Sequence, residues 1–122
     1  MELRWSKQFH CEVCNAVCAE VVLSRKLFQN GAESLSLVHK GFTQSVNSYL
    51  SQEDFEKLIR LFRDNELKKI FEKDREFVPF YCPECNKNYC KKHWDHWMEF
   101  DGIYYDAEYG YCPKRHRRML FD

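Results

Sequence analysis

Residues 81–94 read Tyr-Cys-Pro-Glu-Cys-Asn-Lys-Asn-Tyr-Cys-Lys-Lys-His-Trp, or YCPECNKNYCKKHW. Two metal-ligand pairs lie in this stretch, Cys82-x-x-Cys85 and Cys90-x-x-His93, and only Asn86, Lys87, Asn88 and Tyr89 separate them. A Cys-x-x-Cys turn brings two thiolates to one ion at about 2.3 Å, and a tetrahedral site then needs two more donors from elsewhere in the chain. Those donors exist on both sides, as Cys11-x-x-Cys14 upstream and Cys112-x-x-x-His116 downstream. The eight residues Cys11, Cys14, Cys82, Cys85, Cys90, His93, Cys112 and His116 fill two tetrahedral sites with no position left for water. Two structural Zn2+ ions are expected, and no catalytic one. The pairing can be sequential, 11–14 with 82–85 and 90–93 with 112–116, or crossed, 11–14 with 90–93 and 82–85 with 112–116. The four-residue bridge suits the interleaved arrangement.

The chain of 122 residues reads as a single zinc-binding domain, 1–122, with ligand pairs at 11–14, 82–93 and 112–116. The fold expected is a small α+β cross-brace or treble-clef module with a hairpin-and-helix insert at about 19–76. Nineteen basic residues balance nineteen acidic ones, which disfavours gripping a phosphate backbone as the main task. Seven cysteines are an odd number, awkward for a disulfide framework. The start, Met1-Glu2-Leu3-Arg4, shows no apolar run that would mark a signal peptide or membrane span. Thiolates on zinc in a reducing cytoplasm fit better than disulfides. The run His-Glu-x-x-His does not occur, and the full deaminase signature, His-x-Glu followed by Pro-Cys-x-x-Cys, is not met.

Within the insert, 19–28 (AEVVLSRKLF) and 33–39 (ESLSLVH) flank Gln29-Asn30-Gly31-Ala32 and predict a hairpin, because Asn and Gly both tolerate positive φ. Residues 51 to about 76 predict an amphipathic helix. Ser51 is its N-cap, Asp54 resembles a capping-box partner, and Phe55, Leu58, Ile59 and Phe62 line one face. Leu67, Ile70 and Phe71 continue the stripe after a phase shift near Asn65. A second short hairpin is expected in WDHWMEFDGIYYDAEYGY (94–111), turning at Asp101-Gly102.

Several residues carry open readings. Cys18 or His10 can replace a member of the first pair, although a small buried apolar role suits Cys18 better. His96 reads as a surface residue or a support to a ligand, and His39 as a strand residue with no role. Trp94 and Trp97 read as a binding groove or as packing. Lys114, Arg115, Arg117 and Arg118 read as solvated charge or as a contact for an acidic partner.

The order of pairs resembles a RING-type zinc finger, the cross-brace module of ubiquitin ligases. An aliphatic residue, Val13, precedes the second ligand. Trp97 follows the last ligand of the third pair by four residues, Cys112-Pro113 is similar to the Cys-Pro of the RING ending, and Arg117 directly follows the last ligand. The resemblance implies a docking face for a ubiquitin-conjugating enzyme made of Val13, Trp97, Pro113 and Arg117. The 67-residue gap after Cys14, the Cys-x-x-Cys second pair and the final His116 depart from that pattern. Residues 81–94 look closer to the stress-associated zinc fingers that bind ubiquitin-pathway partners. The ending YGYCPKRHRRML (109–120) is similar to small bacterial zinc proteins, which implies a bacterial cytoplasmic origin.

The functional expectation is a structural zinc module that mediates protein–protein interaction, as a ligase-like adaptor for a conjugating enzyme or ubiquitin-like protein. The first alternative is a non-enzymatic zinc protein that binds a toxin, effector or subunit through its insert. A nucleic-acid finger using the basic tail is less favoured, and no membrane contact is expected.

Overall fold

Apolar residues recur at alternate positions along the first strands and build one face of a sheet. β1 (Glu2–His10), β2 (Val17–Leu27), β3 (Glu33–Lys40) and β4 (Ser45–Asn47) pair antiparallel in chain order. The computed structural model describes residues 2–42, 45–47 and 50–121. The register sets Trp5 and Leu37 on either side of Leu23, and Lys7 and His39 on either side of Val21. Trp5, Phe9, Ala19, Val21, Leu23, Leu35, Leu37 and His39 therefore share one face, and all but Trp5 are buried.

The expected hairpin is present as β2 and β3, but it belongs to this larger sheet. Its turn also differs from the expectation. Gly31 takes φ +85°, while Asn30 stays at negative φ and accepts a hydrogen bond from the Ala32 N–H at 3.0 Å. The Phe28 N–H donates to the Ala32 carbonyl at 2.9 Å and closes the loop.

The single helix expected over 51 to about 76 is two helices. α1 (Gln52–Arg63) and α2 (Leu67–Lys73) are followed by a 3-10 turn, Arg75–Phe77. Ser51 caps α1 as expected, its Oγ accepting from the Asp54 N–H at 3.1 Å. Asp54 also pairs with Lys73 of α2 at 2.9 Å. The break is a Schellman motif. Asn65 stands at φ +58°, its N–H donates to the Phe62 carbonyl at 3.2 Å, and the Glu66 N–H reaches back to Leu61 at 2.8 Å. Lys7 of β1 supports the same helix end by donating to the Phe62 carbonyl at 3.0 Å.

Phe55, Leu58 and Phe62 face the sheet, and Phe9 joins the two ends of the core. Its ring lies 5.9 Å from Phe62 and 5.1 Å from Phe80. From Phe80 the core runs into the cysteine-rich end. There β5 (Tyr81–Cys82) pairs with β6 (Lys87–Asn88), and β7 (Asp95–Asp101), β8 (Tyr104–Tyr111) and β9 (Arg117–Phe121) form an antiparallel sheet. The second hairpin turns one residue later than expected. Asp101 pairs with Tyr104, leaving Gly102 and Ile103 as the loop. Only Gly102 has positive φ, +64°, the type II′ pattern. Trp94 packs into the core: it is 1% exposed and its indole N–H donates to the Phe80 carbonyl at 3.2 Å. A Cβ at Gly110 would lie 2.8 Å from Leu120 Cδ1 and 3.3 Å from Trp94 Cε3, so a larger residue there would have to displace the buried Leu120 side chain. The domain is thus small and mixed, mostly strands with two helices.

His39 is buried on the sheet's core face, and neither of its ring nitrogens has a hydrogen-bond partner among the described residues. Burial pushes its pKa down from 6.5 to about 4. On unfolding below its ordinary pKa the ring takes up a proton. It therefore contributes stability that is complete above 6.5 and lost as the pH falls toward 4. The expected loss from this group is on the order of 2–3 kcal/mol between about pH 7 and about pH 4. Urea unfolding of the wild type and His39→Leu at both pH values checks it, since acid losses common to both cancel in the difference. A wild-type-minus-variant difference that does not change with pH would contradict it.

Candidate metal centres

Each ligand pair sits on a turn that the local sequence specifies. β1 delivers Cys11, whose N–H donates to the Ala16 carbonyl at 2.8 Å, and the Asn15 N–H donates to the Cys11 carbonyl at 2.9 Å. β5 delivers Cys82, and Asn86 turns the chain into β6. Asn15 and Asn86 each directly follow the second cysteine of a pair, at φ +60° and +55°. This left-handed position reverses the chain after the turn, and asparagine tolerates it better than most residues. The repeated Cys-x-x-Cys-Asn is a signal that spacing alone misses. In the third turn the His93 N–H donates to the Cys90 carbonyl at 2.9 Å. In the fourth the Arg115 N–H donates to Cys112 at 2.8 Å, with Arg115 at φ +66°.

The turns converge in crossed fashion. Cys11, Cys14, Cys90 and His93 form one group, and Cys82, Cys85, Cys112 and His116 the other. Within each group the ligand atoms all lie within 4.8 Å of one another. The sequential pairing is not what forms. In the first group Cys14 Sγ is 3.7 Å from Cys90 Sγ, and His93 Nδ1 is 3.6 Å from Cys11 Sγ and 3.1 Å from Cys90 Sγ. In the second, Cys85 Sγ is 3.8 Å from Cys112 Sγ. His116 Nδ1 is 3.7, 3.2 and 3.4 Å from Cys82, Cys85 and Cys112. A tetrahedron with metal–sulfur bonds of about 2.3 Å and metal–nitrogen bonds of about 2.0 Å has edges of roughly 3.8 Å (S–S) and 3.5 Å (S–N). Both groups fit such an ion, and three thiolates with one imidazole are a donor set that suits zinc.

The surroundings support the donors. Burial raises the Cys11 thiol, but backbone hydrogen bonds from Cys14, Cys90 and Val13 outweigh it and bring the pKa to about 6. Burial, with the neighbouring Cys85 and Cys112 thiols, pushes Cys82 up to about 12. A coordinated cation deprotonates such a thiol outright. His116 turns Nδ1 to its group and holds Nε2 3.3 Å from the Glu84 carboxylate, which fixes the ring's orientation.

Cys18 and His10 belong to neither group. Cys18 is buried, its thiol donates to the Phe9 carbonyl at 3.3 Å, and burial pushes its pKa up to about 12. His96 places Nδ1 3.0 Å from Glu108, which Lys91 also approaches at 3.8 Å. Of the expected docking residues, Trp97 and Arg117 come together, with the guanidinium 5.9 Å from the indole ring and 4.8 Å from Tyr109. Pro113 is exposed and lines a shallow cleft with Lys91, Lys92 and His96. Val13 is exposed on the turn of the first group.

The basic cluster divides. Arg115 pairs with Asp95 at 3.2 Å and covers the Tyr111 ring at 4.3 Å. Arg118 is not surface charge. It is buried with its guanidinium donating to the carbonyls of Val78 (3.0 Å), Arg75 (3.2 Å), Met119 (2.9 Å) and Tyr81. Its side also lies 5.0 Å over the Phe71 ring. Burial lowers its pKa to about 10, and the nearby Cys82 thiolate works against that shift. A divalent ion held by three thiolates would carry net charge of −1, which Arg118, close enough to feel the Cys82 thiolate, would offset.

No helix among the described residues is long and apolar enough to cross a membrane. Comparison with curated proteins and with solved structures returns no match. The model of one protein family, by contrast, covers residues 2–122, and the chain belongs to that family, described as a domain of unknown function (DUF8328).

Proposed function

We propose that this chain is a non-catalytic cross-brace module. In this reading two structural zinc ions fix a surface on which another protein docks. The supporting observation is the interleaving of two groups that each supply four protein donors. Sites filled by four side chains hold structure and leave no place for a reacting water.

In its sharpest form the partner is a conjugating enzyme charged with a ubiquitin-like protein. The module forms no covalent intermediate and acts by holding the thioester in a reactive pose. Trp97 and Pro113 would offer apolar contact, Arg117 beside Trp97 the polar bridge, and Val13, exposed on the turn of the other metal group, a further apolar contact. The basic tail supports nucleic-acid binding less well, because Arg118 is buried and Arg115 is paired with Asp95.

Single-turnover discharge of a charged conjugating enzyme tests the reading. Addition of the protein is expected to speed discharge at least tenfold, an effect lost in Val13→Ala and Arg117→Ala at unchanged zinc content. No acceleration, or acceleration indifferent to both changes, would remove it.

A further inference from the structure

The β7–β8 hairpin carries an apolar tip that the docking face does not use. Ten large hydrophobic residues are exposed among the described residues, and five of them, Met98, Phe100, Ile103, Tyr104 and Tyr105, fall on this hairpin. Ile103 and Tyr104 at the turn are 88% and 74% exposed, and Phe100 beside them is 58% exposed. Such a concentration on one projection marks a contact surface, whereas single exposed apolar residues are ordinary. The projection is also preorganised. The β7–β8 pairing holds the turn, and Phe100 and Tyr105 meet edge to face at 6.3 Å, so these two rings have less side-chain freedom to lose on binding.

Charge selects the partner. From Met98 to Tyr111 the chain has no Lys, Arg or His, and Glu99, Asp101 and Asp106 flank the apolar residues. Asp101 and Asp106 are exposed, and none of these three acids joins a salt bridge among the described residues. An anionic rim around an apolar tip is repelled by an anionic bilayer and by a second acidic tip. It complements an apolar groove edged with Lys and Arg.

We propose that the tip Phe100–Asp106 inserts into a lysine- and arginine-rimmed apolar groove on a partner protein. Phe100, Ile103 and Tyr104 fill the groove, and Asp101 and Asp106 meet its rim. This inference is independent of the conjugating-enzyme reading, which uses other residues and is followed by thioester discharge.

A photoreactive benzophenone amino acid at position 103 of the full-length protein, expressed in the source cells, tests it. A control carries the same group at Lys68, which is exposed on α2. The expected result is an adduct at 103 whose crosslinked segment on the partner is apolar and flanked by Lys or Arg. Its yield should fall at least threefold in Asp101→Lys with Asp106→Lys, at unchanged zinc content. An adduct to lipid, to another copy of this chain or to an acid-flanked segment would overturn the proposal. So would a yield no higher than at position 68, or one indifferent to the charge reversals.

Discussion

Removing the metal from the reduced protein with excess chelator is expected to lower its melting temperature by on the order of 20 °C or more. Structural zinc contributes roughly 10–16 kcal/mol in finger peptides, as much as the whole stability of an ordinary domain. The effect reaches far in this chain because each group ties distant segments together. The first links the turn after β1 to the turn before β7, and the second links β5 to the β8–β9 connection. The sheet β1–β4 and α1 share their own apolar face, so the cysteine-rich end is expected to lose order first. Far-UV and near-UV circular dichroism with and without chelator measure the change, and added Zn2+ should restore it. Cys18→Ala provides the contrast: the thiol lies outside both groups, so both ions should stay bound and the cost should be about 1 kcal/mol. A melting curve indifferent to chelator would mean that the core alone holds the fold.

The second large effect is expected at Arg118. Arg118→Ala should cost about 3–5 kcal/mol in urea unfolding at fixed free zinc. The substitution takes the guanidinium donor from the carbonyls of Val78 and Tyr81, of which Val78 keeps only the Tyr81 N–H, and it removes the cation beside the second group. Arg118→Lys should recover only part of the loss, because one ammonium cannot reproduce a planar fork that reaches several carbonyls. Arg117→Ala, one residue away on the exposed face, should stay within about 0.5 kcal/mol of wild type. Equal, small effects at 117 and 118 would show that the buried clamp does not operate.

How much of this was legible in the sequence depended on what kind of signal each feature leaves. The eight donors stand out because thiolate and imidazole pairs at fixed spacing have few other uses. The crossed pairing was only favoured, by the four-residue bridge 86–89, since convergence of distant turns is a property of the whole fold. The helix break left a trace in the phase shift at Asn65, but the Schellman closure needs the backbone. β1 was missed because Lys7 interrupts the apolar face that Leu3, Trp5 and Phe9 outline between Arg4, Ser6 and Gln8, and Lys7 spends its charge on a helix end. β9 was missed for a related reason. Arg117-Arg118 reads as a solvated tail, yet strand alternation sends one guanidinium outward and the other into a nest of carbonyls. Backbone acceptors have no letter in a sequence, so a buried arginine that lacks an acidic partner cannot be found by looking for one.

Native mass spectrometry of the reduced, intact chain tests the central claim most directly, with two double variants beside the wild type. The account predicts two zinc ions on the wild type, one on Cys11→Ser with Cys90→Ser, where a single group is broken, and none on Cys11→Ser with Cys82→Ser, where both are. Fewer than two ions on the wild type, or the reverse order in the two variants, would contradict it.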